Sequence, residues 1–378
     1  MSARKPRLLL AGRNRYRLPL DESLRRKFDA LERLFDLHVV GSAPPGAPTS
    51  DGSFELIPPF RARTLDGAAF FLRFPLRLVR DLRSFRPDAV VVQGAHEAAA
   101  ALAARRVARV SVPIVLDVHG DWRTFTRLYG SPARRVLSPI ADLVAAAALR
   151  RSDAVRTISG YTTDLVRSHG IEPAAVFPAF MDLEPFLGPT RPLPQRLQAL
   201  FVGGLEHSKD VDALAAAWRL AAPRVPEARL CVVGRGSRRR VIEELVRDLP
   251  GQTAWDEELS PPEVAQALDE STALVLPSRS EGLGRVLVEA LCRARPVVAT
   301  SVGGIRDVVE DGVNGFLVPP RDPQALAEAL VRILTDRALA EHLAAEAHHS
   351  VEPWIATPDE YAERLRALVD KLAGSQGR

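Results

Sequence analysis

Ser278-Arg279-Ser280-Glu281-Gly282-Leu283-Gly284-Arg285-Val286-Leu287-Val288-Glu289-Ala290 joins three structural elements within thirteen residues. The apolar run 273–276 before it reads as a buried strand that ends near Pro277. A glycine-bearing loop follows, and a helix opens near Gly284 and runs to Arg293, ahead of a second apolar run, 296–299. Strand, helix and strand in that order make a βαβ unit, from which parallel sheets covered by helices are built. The first amides of such a helix, those of Gly284, Arg285 and Val286, have no acceptor inside it and suit a phosphate beyond its N-terminus. Glu281 lies in the loop, and Glu289 about 8 Å inside the helix at ~1.5 Å per residue. A nucleotide sugar needs such a set: a carboxylate for sugar hydroxyls, amides for a diphosphate and a second carboxylate for the ribose diol. The bland alternative is an acidic loop beside a solvated helical glutamate.

The same alternation extends both ways along the chain. Upstream, strands are expected at 199–202 and 229–233 and helices at 211–222 and 239–249. In the first half, strands are expected at 7–11, 36–40, 89–92, 114–117 and 154–158, with helices at 22–35, 97–107, 132–149 and 161–168. Gly188, Pro189, Pro192 and Pro194 interrupt the pattern and read as a linker, and the end is purely helical over 323–334, 338–347 and 358–372. With 378 residues, the chain fits two domains of roughly 100–200 residues each. We expect domains at 1–188 and 189–350, with 351–378 returning to the first. Ligands of such sheets bind beyond the carboxyl ends of the strands, and two domains place a cleft between them.

The 278–290 stretch resembles the retaining glycosyltransferases of the GT-B fold, specifically glycosyltransferase family 4. The resemblance continues through Arg295-Pro-Val-Val-Ala-Thr-Ser-Val-Gly303-Gly304 to Asp311-Gly-Val-Asn-Gly315-Phe-Leu-Val-Pro. Phe201-Val-Gly203-Gly204-Leu-Glu-His-Ser-Lys209 looks like the family's first donor loop, and Leu230-Cys-Val-Val-Gly234-Arg235-Gly236 like its second glycine turn. The fold implied is α/β, with two doubly wound Rossmann-like domains whose parallel sheets face a central cleft. The implied activity is metal-independent transfer of a sugar from a nucleotide-diphosphate sugar, of UDP or GDP type, to a glycan, lipid-linked or small-molecule acceptor, with retention of anomeric configuration. No cofactor is implied beyond that substrate. Gly204 departs from the pattern, because family members usually carry an arginine there that contacts the diphosphate; Arg235 and Arg285 are candidates to compensate. A second reading therefore stands beside the enzyme, a catalytically weak GT-B module that binds nucleotide and partners another enzyme.

Lys209 is one of only four lysines among 51 basic residues, and its compact ammonium suits a diphosphate as a point charge. The resemblance makes it the diphosphate lysine, with Glu281 and His119 as the other catalytic candidates. Glu289, Gly203, Gly204, Gly234, Arg235, Gly284, Arg285 and Val286 would bind the donor. Asp210 and Asp212 mimic a metal-binding pair, yet Asp210 is better explained as the N-cap of the next helix. In the first domain His119 follows a strand in Asp117-Val-His119-Gly-Asp121, where the family has a histidine near the transferred sugar. Gln93 and His96 lie at another strand end on the acceptor side. Arg13, Arg15 and Arg17 are placed in the first loop, to meet phosphate or an anionic acceptor, or merely solvent. No carboxylate of the first domain is placed as an obvious inverting base, and Asp121 and Glu97 are the two that could serve as one. Ser159 and Asp182 resemble the family's later segments, while the three C-terminal histidines His342, His348 and His349 read as solvent-facing.

Composition excludes several classes. Apolar residues make up 46% and charged residues 26%, as in a soluble globular chain with a core. A net charge of +4, with arginines not interleaved with aromatics, gives no case for nucleic acid. Cys231 and Cys292 lack zinc-ligand spacing and fit a reducing compartment. No apolar stretch approaches ~20 residues and no signal-peptide core is visible, so a cytoplasmic location is expected. Between Arg61 and Arg86, seven arginines face two acids. Phe71, Leu78, Leu82 and Phe85 recur there at helical spacing, with Arg73, Arg77 and Arg80 on another face. Such a helix suits peripheral attachment to an anionic inner membrane face, and equally a core-packed helix with a solvated basic face.

Overall fold

Short aliphatic runs become the strands of two sheets, and the chain divides into two units, Met1–Asp182 with Ala356–Arg378, and Leu183–Ile355. The structure, a computed structural model, describes residues 4–62, 65–124 and 132–376. Arg63, counted above in the basic stretch, lies outside them.

The first unit holds β1 (Arg7–Arg15), β2 (Asp36–Ser42), β3 (Ser50–Asp51), β4 (Phe54–Glu55), β5 (Ala89–Gln93), β6 (Ile114–Val118), β7 (Ala154–Thr157) and β8 (Ala175–Val176). They form one sheet in the order β3-β4-β2-β1-β5-β6-β7-β8, parallel except for the β3–β4 pair. Its helices are α1 (Glu22–Leu34), α2 (Asp66–Ser84), α3 (Ala95–Ala108), α4 (Pro132–Arg151) and α5 (Gly160–Arg167). Alternate residues of a strand feed opposite layers. Leu8 enters the core beneath α1, and Leu9 enters the core beneath α2, α3 and α4.

The second unit is a six-stranded parallel sheet, β11-β10-β9-β12-β13-β14. Its strands are β9 (Gln198–Val202), β10 (Arg229–Val233), β11 (Thr253–Asp256), β12 (Ala273–Leu276), β13 (Val297–Thr300) and β14 (Gly315–Val318). The helices are α6 (Val211–Ala221), α7 (Arg239–Asp248), α8 (Pro261–Asp269), α9 (Arg285–Cys292), α10 (Ile305–Val308), α11 (Pro323–Thr335) and α12 (Arg337–His349). The last helix, α13 (Pro358–Gln376), belongs to the first unit and packs on α1 through Tyr361, Leu365 and Leu368.

Strand order reverses once in each sheet where two neighbours diverge, and ligands of doubly wound sheets collect at that point. In the second unit it lies between β9 and β12, and in the first between β1 and β5. The loops leaving these strands therefore begin side by side.

The structure amends several sequence expectations. Strand β1 does not stop at Ala11; its register shifts between Ala11 and Arg15, and it pairs again at Arg15 with Ser42. Arg13 and Arg15 consequently sit in the strand rather than in the loop after it. The segment 188–195, read as a linker from its prolines, is tied to the second unit by three arginines. Arg295, fully buried, donates to the Arg191 carbonyl at 3.0 Å and the Pro192 carbonyl at 3.3 Å. Arg293 reaches Pro189, and Arg337 reaches Leu193 and Pro194. Burial brings Arg295 down to about 10, against the opposing charge of Asp269. No helix of the described residues is long and apolar enough to cross a membrane.

Candidate functional site

The loop after β9 and the loop after β12 meet in the second unit. Lys209 ends a short 3-10 turn, His207–Lys209, and its ammonium forms an ion pair with Oε1 of Glu281. Ser278, itself fully buried, donates its hydroxyl to the same Glu281 oxygen at 2.8 Å. The Ser278 carbonyl is in turn held by Thr300 Oγ1 at 2.5 Å. Lysine, glutamate and serine thus converge on one carboxylate oxygen at the end of β12.

Glycines make the loops fit. Gly303 has φ +52°, and a Cβ there would stand 2.0 Å from the Glu281 carbonyl oxygen. Gly234 has φ +148°, and a Cβ would come within 1.9 Å of the Gly203 carbonyl. Only glycine allows both the left-handed backbone and the approach. The first donor loop is therefore pressed on Gly234, and the glutamate loop on Gly303.

Arg279, like Ser278, is a residue to which sequence reasoning gave no role. Its amide donates to the Ser208 carbonyl at 2.7 Å, and its guanidinium donates to His207 Nε2 at 2.6 Å and Asp210 Oδ1 at 2.7 Å. This staples the Glu281 loop to the Lys209 turn. It also corrects the reading of Asp210: the residue stands at the N-cap of α6, but its side chain makes no capping bond there and goes to Arg279. Its backbone there is left-handed, with φ 49°. Asp212 is likewise engaged, by Arg238.

Helix α9 opens at Gly284, which holds φ +88° as its N-cap. Glu289 is buried one turn in and accepts from Arg285 Nε at 2.6 Å. Burial pushes its carboxyl above the ordinary range, and Arg285 only partly offsets this. Arg285 is thus drawn to the glutamate expected to hold ribose, while Arg235 pairs with Glu258 on the surface. Gly204 has room: a Cβ would lie 3.7 Å from Glu206 Cγ and 4.0 Å from the Arg235 carbonyl.

In the first unit the ends of β1 and β5 are joined by a bond from Asn14 Nδ2 to Gln93 Oε1. Arg13 lies 3.5 Å and Arg15 4.0 Å from Asp66, which opens α2. His96 turns toward α4; burial lowers its basicity against a bond to the Ala141 backbone and the charge of Asp142. Glu97 curls back over Gly94, and burial raises its carboxyl despite its own backbone amide and Arg13. Asp121 is occupied by Arg123, at 2.9 and 3.0 Å. Ser159 caps α5, and Asp182 accepts from Arg26 at 2.7 Å.

His119, just past β6, is held by a buried pair. Its Nε2 lies 2.8 Å from Asp117 Oδ2, and Arg156 Nη1 donates to the same oxygen at 2.8 Å. Arg156 is wholly buried, donates to the Phe177 and Pro178 carbonyls and stacks 3.9 Å above the Phe177 ring. Burial alone would raise the Asp117 carboxyl, but Arg156 and His119 overcome it and hold it at about 2. An ionised carboxylate only accepts, so the His119 nitrogen that faces Asp117 is the donor of that bond.

Comparison with known proteins gives the family and the fold. Residues 23–185 match Glycosyltransferase Family 4, and residues 196–336 match Glycosyl transferases group 1. A sulfoquinovosyl transferase of Arabidopsis thaliana is 25% identical over 292 residues, covering 74% of this chain and 56% of that protein. The chain thus spans little more than half the length of that relative. The sucrose-phosphate synthase structure from Thermosynechococcus elongatus superposes with a TM-score of 0.79 at 21% identity, over 98% of this chain and all of that one. Anabaena HepE in complex with UDP-glucose superposes with a TM-score of 0.68 at 17% identity, over 98% and 99% of the two chains.

Proposed function

The chain belongs to the glycosyltransferases of group 1 and family 4 and has the GT-B fold, and from that premise we propose that it moves a sugar from a nucleotide-diphosphate sugar to a hydroxyl acceptor, with retention and without a metal. The observation that carries this reading is the convergence of Lys209, Ser278 and Glu281 beside the N-terminus of α9. An incoming diphosphate replaces Glu281 as the partner of Lys209, and the amides at Gly284–Val286 share its charge. Glu281, released from the ammonium, meets the sugar hydroxyls, and Glu289 takes the ribose diol. The bond from C1 to the β-phosphate oxygen breaks, and the nucleoside diphosphate leaves with both electrons. The acceptor oxygen bonds C1 on the same face, and its proton passes to the departing phosphate. His119 acts at the transferred sugar, its imidazole fixed by Asp117. The acceptor is a glycan, a lipid-linked saccharide or a small molecule.

The test is release of UDP, GDP or TDP from a panel of nucleotide sugars, with product configuration read by NMR. Retained configuration and full activity in EDTA are expected, whereas an inverted product overturns the mechanism. Two variants divide the carboxylates. Glu289→Ala should mainly raise KM, because a ribose contact exists in ground and transition states alike. Glu281→Gln should lower kcat, because its charge faces the sugar that becomes cationic. Equal effects of both on KM alone would refute that division.

The second reading, a donor-binding module with little turnover, is favoured by one observation. Gly204 supplies no side chain although there is room for one, and Arg235 and Arg285 are each paired elsewhere. Donor binding without diphosphate release across acceptor panels would select it.

A further inference from the structure

Helix α2 carries two apolar stripes. Phe70, Phe74, Leu78 and Leu82 are buried in the core shared with α3 and α4. At 100° per residue, Leu65 at the helix N-cap, Leu72 and Leu76 fall on the opposite side, and they are 54%, 72% and 72% exposed. Phe71, which shares helical spacing with Leu78 and Leu82, is exposed as well. Of the basic face read from sequence, two of the three arginines stay exposed. Arg77 is drawn to Glu55 and Asp81, and Arg73 stacks on Phe60 while remaining exposed, as does Arg80.

Helix α4, two places along the same layer, repeats the arrangement. Ala145, Ala148 and Leu149 enter the shared core, whereas Ile140, Leu143 and Val144 are 61%, 71% and 43% exposed at i, i+3 and i+4 spacing. α3 packs between α2 and α4, which places the two outward stripes on one side of the sheet. Exposed leucines on two such helices exceed the scattered apolar residues of an ordinary surface. Charge on the layer has one sign. Arg73, Arg80, Arg83, Arg106 and Arg150 are exposed, whereas the acids of its described residues, Asp66, Asp81, Glu97 and Asp142, are each buried or half-buried.

We infer that the α2–α3–α4 layer docks on an anionic lipid bilayer, with Leu65, Leu72 and Leu76 of α2 and Ile140, Leu143 and Val144 of α4 entering the boundary between headgroups and acyl chains. Apolar stripes flanked by arginine match a surface whose interior is hydrocarbon and whose headgroups carry phosphate. A two-fold contact between copies of this chain fits less well, because it would set arginine against arginine with no exposed acid on the layer to pair them.

The test uses the purified full-length protein and sedimentation with vesicles of phosphatidylcholine and phosphatidylglycerol at three to one. Binding is expected at low salt, weakened by salt and by pure phosphatidylcholine. Arg73→Gln and Arg80→Gln should each weaken partitioning by about fivefold. Leu72→Ser with Leu76→Ser should weaken it by roughly tenfold or more, without altering the thermal midpoint of this exposed site. Absence of binding to anionic vesicles overturns the inference. Binding that ignores the leucine pair does so too, as does a concentration-dependent dimer, seen by light scattering, that the leucine pair dissolves. The readout is independent of sugar transfer, so it stands or falls apart from the proposed activity.

Discussion

Lys209→Ala should lower turnover by ~10²–10³ with donor saturating, the scale of removing one preorganised group that stabilises charge in the transition state. The ammonium is only 24% exposed at its side chain and has Glu281 as its partner in the free protein. Its removal leaves the diphosphate without its one compact cation and leaves Glu281 tied only to Ser278. Folding should not suffer, because Glu281 keeps that hydroxyl bond and the loop keeps its Arg279 staple. The assay is diphosphate release alongside a thermal melt. Turnover within threefold of wild type would remove Lys209 from the mechanism.

Arg156→Met should destabilise the first unit by about 3–5 kcal/mol, because it removes the buried countercharge of Asp117 and leaves His119 as the partner of that carboxylate. Methionine replaces the apolar volume of the arginine but none of its bonds to Asp117, Phe177 and Pro178. Replacing both members, Arg156→Met with Asp117→Leu, should recover part of the loss, since no buried charge then remains although the Phe177 and Pro178 carbonyls still lack their donor. The wild-type pair also sets a pH dependence. The Asp117 carboxyl is held at about 2 in the fold, below its ordinary value near 4. Its contribution is therefore complete above about pH 4 and disappears as pH falls toward 2, a loss of about 2 kcal/mol. Denaturant titrations of wild type and the two variants at pH 7 and pH 3 measure both effects. A single variant within about 1 kcal/mol of wild type would contradict the account of the pair.

These side chains differ in how legible they were. Glu281, Glu289 and the glycine turns follow local rules of spacing and backbone, and those rules act within a dozen residues. Arg279 does not: it is one arginine among 47, and its partner Asp210 lies 69 residues away. Asp210 looked like a helix cap by the same local rules, and the distant arginine drew its carboxylate off. Arg156 sits inside an apolar strand run, where its charge suggests solvent; Asp117, 39 residues earlier on the neighbouring strand, makes it a core residue. Helical spacing in α2 admitted two apolar stripes, and packing against the alanines of α3 chose between them. Strand β11, with a tryptophan and only four residues, fell below any periodicity. Helix α8 did carry a signal, Ser260-Pro-Pro-Glu263, a capping box whose serine amide bonds the glutamate at 2.7 Å.

The most direct measurement of the central claim is calorimetric titration of UDP, GDP and TDP into the wild-type protein and into Glu289→Ala. The account predicts that at least one of the three binds at one site per chain, and that Glu289→Ala weakens it by tenfold or more while the protein stays folded. Binding of none of the three at millimolar concentration, or binding that Glu289→Ala leaves unchanged, would contradict it.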